Sequence, residues 1–293
     1  GDIVDGDHGP GQLTLREAVQ LANADPDPDT ITFAFGDAAT IVLDGAELVL
    51  AGDVTIDGGG NRITIDANGL SSVLRVTGDG TEVVLDGVTV RGGYSSTDKN
   101  DPPAGAGIEV EAKTSLRLVD ALVTDNILAA EDDGPGAAGL LNYGTLAAEN
   151  TTFSENHVSG RAMSEKTTTS SAILNFGTAN LSSSTIHSNT ANNELTVHED
   201  AYDSHYSKFE IAALTNLSDL EISNSIVSGN SSTDRGELYY EVRFDVILYP
   251  FFEKRAADAD GSPPTIVGNV LVGGDAELGP LEDNGGPTWT MKP

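Results

Sequence analysis

Apolar residues fall in short alternating runs along this chain. Between positions 41 and 93 they read IVLDG, LVLAG, VTIDGGG, ITIDANG, VLRVTGDG and VVLDGVTVRGG. Each run alternates apolar and polar positions and then stops at Gly, Asp or Asn, the pattern of short strands joined by tight turns. Farther on, four segments align with one another: 121–126 (ALVTDN), 151–156 (TTFSEN), 184–189 (STIHSN) and 225–230 (SIVSGN). In each, an apolar residue (Val123, Phe153, Ile186, Val227) precedes an Asn by three positions (Asn126, Asn156, Asn189, Asn230). An earlier copy at Val90 carries Gly93 in the Asn position. Eleven residues ahead of Phe153, Ile186 and Val227 stand Asn142, Asn175 and Asn216.

Short strands and turns repeated at a fixed offset predict an all-β, right-handed parallel β-helix, a solenoid whose coils bury their apolar residues only by stacking. Val90, Val123, Phe153, Ile186 and Val227 are then one inward column, and the turn Asn residues form hydrogen-bonded ladders. The column positions are 33, 30, 33 and 41 residues apart. A bare coil needs only about 20 to 29 residues, so each coil carries an insertion: 94–104, 129–137, 161–169, 191–208 and 231–264. All five follow the equivalent turn and are expected as loops along one edge.

A short N-terminal capping α-helix precedes the coils. Thr14 and Glu17 make a capping box over 14–24, Leu15, Ala18, Val19 and Ala22 lie on one face, and Pro26 and Pro28 follow. Its expected role is to cover the open end of the solenoid, with a first strand at 30–35. The chain divides as a single β-helix domain over 1–293: a cap region at 1–40, coils at 41–232, a strand-rich insertion at 233–264 and a closing segment at 265–293.

Composition narrows the partners. Fifteen Lys and Arg against 46 Asp and Glu give a net charge of −31, which repels nucleic acid and anionic membranes. The absence of cysteine excludes disulfides, thiolate metal sites and a cysteine nucleophile. No apolar run is long enough for a transmembrane segment. Asp57, Asp66 and Asp86 end strand-turn units and are candidate calcium ligands, although Asp-Gly is also ordinary turn chemistry. No cofactor is required on this reading, and calcium is the optional one.

Aromatic residues cluster late. Residues 198–255 hold nine of the sixteen in the chain. A sugar-binding surface would use Tyr202, Tyr206, Tyr239, Tyr240, Arg243 and Tyr249. A β-elimination lyase would draw its acid and base from His198, Tyr202, His205 and Tyr206, with Lys208, Arg235 and Arg243 neutralising a uronate. Asp200 and Asp203 are the alternative, a hydrolytic acid pair. Strict alternation from Leu238 to Leu248 supports packing instead: a long strand in an extra hairpin against the solenoid. His157 and His187 stand alone, His187 in an exposed turn. Asn150, Asn180, Asn216 and Asn230 match N-x-S/T but read as turn residues.

The segment Leu13-Thr-Leu-Arg-Glu-Ala18, with Leu21-Ala-Asn23 and Asp29-Thr-Ile-Thr-Phe33, resembles the N-terminal signature of CSLREA-type bacterial secreted proteins, with Leu13 and Thr14 at the usual Cys and Ser positions. The coils resemble polymorphic outer-membrane-protein repeats, and 278–288 (LGPLEDNGGPT) looks like the segment that closes such modules. The resemblance implies a secreted or cell-surface β-helix of pectin-lyase-like fold, monomeric and part of a larger chain. An adhesin-like module binding polysaccharide or a surface protein through its insertions is the expected function, and a polysaccharide-active lyase or hydrolase is the alternative.

Overall fold

A computed structural model describes residues 2–7, 9, 11–34, 38–60, 62–97, 104–130, 135–160, 168–193, 210–234, 246–248, 265–267, 271–272, 278 and 281. The described strands stack as a right-handed parallel β-helix, every strand pairing parallel with its equivalent one coil away. Three sheets wall the core. Sheet S1 begins with β1 (Asp29–Thr32) and ends with Thr265–Val267. S2 begins with β2 (Ala39–Val42) and ends with Leu271–Val272. S3 begins with β3 (Leu48–Leu50) and includes Leu74–Val76, Ile108–Val110 and Leu140–Asn142.

Alternation along each strand sends one residue inward and the next outward, and parallel register then lines up the inward residues of all coils. In S2 the partners run Val90, Val123, Phe153, Ile186, Val227. This is the expected column, and all five side chains are essentially inaccessible. Ile41 and Ile65 extend it toward the N-terminal end.

Two asparagine ladders stand beside the columns. Asn126 Nδ2–H donates to Asn156 Oδ1, Asn156 to Asn189 and Asn189 to Asn230, each at 2.9 Å. Asn126 Oδ1 in turn accepts from the Gly93 N–H at 2.9 Å, so the glycine copy ends the ladder without an amide of its own. In S3, Asn142 donates to Asn175 and Asn175 to Asn216, each at 2.6 Å. Apart from the partly exposed end rung Asn230, these amides are buried, and they are satisfied as interior polar groups must be. The residue just before each rung of the first ladder turns the corner in the left-handed region: Asp125, Glu155 and Ser188 at φ of 54°, 56° and 58°, and Gly229 at 65°.

Helix α1 (Leu15–Ala24) forms as expected, with both arms of the capping box present. Glu17 also accepts from the N–H groups of Asp5 and Gly6. Those backbone bonds, that from Thr14 foremost, hold its carboxyl down at about 2. Leu15, Val19 and Ala22 join the main core, but Ala18 is only partly covered and Glu17 is buried in addition. The N-terminal segment folded over Glu17 accounts for that difference. The helix seals the edge of β3 with side chains. Asn23 Nδ2–H donates to Val49 O, the Ala51 N–H donates to Asn23 Oδ1, both at 2.8 Å, and Arg16 donates to the carbonyls of Ala46 and Glu47.

At their roots the expected insertions add strand pairing: Tyr94–Ser96, Ile127–Ala130, His157–Gly160, Thr190–Asn193 and Ser231–Asp234, which run up to or into the insertions, pair as a fourth parallel sheet, S4. Return strands such as Ala104–Gly105 and Gly136–Ala137 run on into S3. Leu128, Ala130, Ala138, Val158 and Ala191 give these roots a small core of their own. Within the alternating run expected as a hairpin strand, the described residues Val246–Leu248 pair with Leu214, Thr215 and Asn216 as a rung of S3; 238–245 lie outside the described residues.

Asn156 contributes to two rungs and also donates to the Val123 carbonyl at 3.0 Å. Asn156→Ala should therefore cost about 2–4 kcal/mol in urea unfolding, because buried donors and acceptors are left unpaired; the partly exposed end rung Asn230→Ala should cost about 1 kcal/mol. Equal costs at both positions would show that the ladder is not a buried network. Thr14→Ala should lower helix and protein stability by about 1 kcal/mol through loss of the cap, read from the same unfolding curves.

Candidate functional site

Expected site residues in the last two insertions, His198, Tyr202, His205, Tyr206, Lys208, Arg235, Tyr239, Tyr240, Arg243 and Tyr249, lie outside the described residues. The three candidate calcium ligands are described. Asp57 and Asp66 each accept from a backbone N–H two residues on, Gly59 at 2.7 Å and Asn68 at 2.8 Å. These are Asx turns. Asp66 also pairs with Arg91 at 2.8 Å. Asp86 is the register partner of Asp57, and burial, together with Asp57 and Asp120, raises its carboxyl. Asp66 stands at the other end of the S2 strand, so the three do not converge. The described residues contain no group of three or more His, Cys, Asp or Glu arranged to hold a metal.

A chemical cluster does form on the outer face of S3. Its outward positions fall in two columns by register. One carries Arg75, Glu109, Leu141, Leu174 and Thr215. The other, just past the strand ends, carries Thr77, Glu111, Tyr143, Phe176 and Leu217, each later residue bonded through its backbone to the coil before. The face is therefore polar toward the N-terminal coils; in the later ones Leu141, Leu174 and Thr215 are covered, and the partly buried Tyr143, Phe176 and Leu217 carry its apolar surface.

In the polar half, Arg75 binds Glu47 at 2.8 Å and reaches Glu111 at 3.6 Å, while Thr77 donates its hydroxyl to Glu111. Glu109 sits beside Arg75 in register but outside those ion pairs. Burial pushes its carboxyl up to about 7, Arg75 opposes the rise, and Glu47 and Glu111 add to it. In the apolar half, the Tyr143 and Phe176 rings stack with centroids 5.0 Å apart and planes within 8°. Each ring spends one face on the other. Burial, then Glu109, raises that phenol to about 12, which keeps it a hydrogen-bond donor.

This arrangement combines a carboxyl that burial shifts up toward neutrality, two further glutamates paired with one guanidinium, and an apolar shelf. None of these residues was singled out from the sequence. Arg75 and Glu109 occupy the polar slot between two apolar residues in LRV and IEV, and Tyr143 and Phe176 follow the ladder Asn in NYG and NFG. Aligning the S3 strands by the offset from the Asn column would have brought them together.

The isolated histidines are structural. His157 Nδ1 lies 2.7 Å from Thr190 Oγ1 and His187 Nδ1 2.7 Å from the Ser228 carbonyl. His187 is partly buried, not exposed as expected, because the next coil covers its turn. No protein-family model, curated protein or solved structure matches this chain.

Because Glu109 keeps its proton in the folded state up to about 7, whereas the unfolded chain loses it near 4.5, it makes stability fall as pH rises through that window. Glu109→Gln should remove this slope: its melting temperature should match the parent at pH 4 and exceed it at pH 8. Parallel melting curves across the range would mean that Glu109 ionises as an ordinary carboxyl.

Proposed function

We propose that the chain is a secreted or cell-surface β-helix module of the CSLREA and pectin-lyase-like kind that binds a glycan along the outer face of S3 and its adjoining insertions. The observation that carries this reading is the half-exposed Tyr143 and Phe176 shelf next to the Arg75, Glu47, Glu109 and Glu111 cluster, all on one rigid ladder. Sugars present hydroxyls beside patches of C–H, and this face offers donors and acceptors beside apolar edges. Aromatic enrichment in residues 198–255 supports the same class of partner.

The second reading is a polysaccharide-active enzyme, and the cluster favours hydrolysis over elimination. Elimination on a uronate asks for a cation free to meet the sugar carboxylate, whereas Arg75 is already engaged by two glutamates. A carboxyl raised by burial beside others paired with a guanidinium is instead close to the two-carboxyl arrangement that glycoside hydrolysis uses.

A glycan array followed by calorimetry on the best binder tests the proposal. Arg75→Ala and Tyr143→Ala should each weaken binding about tenfold with the fold intact by circular dichroism. Shortening 194–209 and 235–245, which spares the strands of S3 and S4, distinguishes the face from the insertions. Binding that survives both point variants and vanishes on shortening would place the site on the insertions alone. Release of reducing ends by the parent and not by Glu109→Gln would favour the hydrolase.

A further inference from the structure

Helix α1 closes only one side of the N-terminal end of the solenoid. Arg16 and Asn23 occupy the edge of β3, but β1 and β2 are the first strands of S1 and S2 and have a sheet neighbour on one side only. Their hydrogen-bonding phase shows which groups face outward. The Asp29 N–H donates to Asp53 O at 3.0 Å and the Ala39 N–H to Arg62 O at 3.1 Å. Alternate residues of a strand point their backbone groups to opposite sides. Asp29, Ile31, Ala39 and Ile41 thus address the next coil, and the backbone groups of Thr30, Thr32, Thr40 and Val42 point off the end of the sheets.

Beside this edge, between α1 and β1, lies a groove of about 950 Å³. Its apolar walls include Leu13 and Leu21 from the helix side and Ile31, Phe33 and Ile41 from the strands. Among the described residues, three of the eight large apolar side chains that remain exposed, Ile3, Leu13 and Leu21, line this groove. The charged residues lining the groove are Asp5, Asp25 and Asp29, with no Lys or Arg among the lining residues.

An open strand edge beside an apolar groove with an acidic rim defines a particular occupant. We propose that this end of the solenoid docks an extended segment of a partner protein, alternating apolar and basic residues, that adds to β1 as an edge strand. Main-chain hydrogen bonds to Thr30 and Thr32 supply the pairing, the apolar residues enter the groove and the basic ones meet the aspartates. A second copy of this chain is the poorer occupant, since each copy carries a net charge of −31. β1 spans about 13 Å at the usual rise per residue, enough for the partner to pair over its whole length. This inference is independent of the glycan reading, which concerns the outer face of S3.

Three capped octapeptides test it by calorimetry at about 0.15 M salt, where surface attraction is screened beyond about 8 Å: alternating Lys and Val, alternating Glu and Val, and the Lys–Val peptide with alternate backbone nitrogens methylated. The Lys–Val peptide should bind and slow amide exchange at Thr30 and Thr32. The methylated peptide, equal in charge but unable to pair, should bind at least tenfold more weakly, and the Glu–Val peptide not measurably. Thr32→Pro removes an outward N–H that no ladder bond uses and should weaken Lys–Val binding at least tenfold. Leu21→Lys, on the exposed helix side, should do the same should the proline variant fail to fold. Equal binding of the methylated and unmethylated peptides would reduce the effect to charge attraction and overturn the proposal. So would absence of Lys–Val binding, or concentration-dependent self-association that Thr32→Pro or Leu21→Lys abolishes.

Discussion

A strand of three or four residues is stable here only because the coil on either side completes its backbone hydrogen bonds. That single constraint sets the coil spacing at about 4.8 Å, and equivalent residues of successive coils then become immediate neighbours. Like must stack on like. An apolar residue builds a column, an asparagine builds a ladder, and a charged residue meets whatever the next coil places at the same position. The 2.9 Å repeats from Asn126 to Asn230 and the buried column from Val90 to Val227 are two outcomes of the same geometry. In S3 one inward column changes from Leu50, Val76 and Val110 to Asn142, Asn175 and Asn216. That change is tolerated because the amides satisfy one another as they enter the core.

Corners impose the second requirement. Each must reverse the chain in very few residues, and the left-handed conformation does so in one. Glycine reaches it without strain, as at Gly92 and Gly229, but Asp125, Glu155 and Ser188 hold it in the intervening coils. A non-glycine residue there costs about 1–2 kcal/mol. The following ladder Asn, bonded through both its backbone N–H and its side chain, offsets that cost. Corner and ladder are thus one device, and the insertion after it can vary in length without disturbing the coils.

Legibility of the sequence follows from these constraints. The S2 column and both ladders were readable because identical residue types recur at fixed offsets, and the capping box was readable because it is local. The strands of S4 were not: Tyr94–Ser96 and Thr190–Asn193 lack apolar alternation, and their pairing arises only because the preceding corner delivers them in register. Membership of Val246–Leu248 in S3 was hidden for the opposite reason, since the local alternation from Leu238 onward gives no sign of which coil those three residues pair with. The cluster around Glu109 was hidden more deeply. Arg75, Glu109 and Tyr143 are 34 residues apart at each step, and nothing local distinguishes an outward Glu in a strand until register sets it against Arg75. Its shifted acidity is a property of stacking and not of the residue.

Stacking also governs what the molecule must exclude. A solenoid displays its pairing groups at both ends, and an uncovered edge accepts almost any extended chain. Asn23 answers this at β3 by standing in for a peptide group, accepting from Ala51 and donating to Val49. No equivalent side chain occupies β1 among the described residues, and discrimination there falls to charge. With Asp5, Asp25 and Asp29 around the groove and 46 acidic residues over the chain, an acidic strand meets repulsion before it can pair. Repulsion of the wrong partner costs the fold little, because surface charges are screened within about 8 Å at physiological salt, whereas a pairing strand must approach to about 4.8 Å. The same acidity that keeps copies apart therefore acts most strongly at the one distance where misassembly would begin.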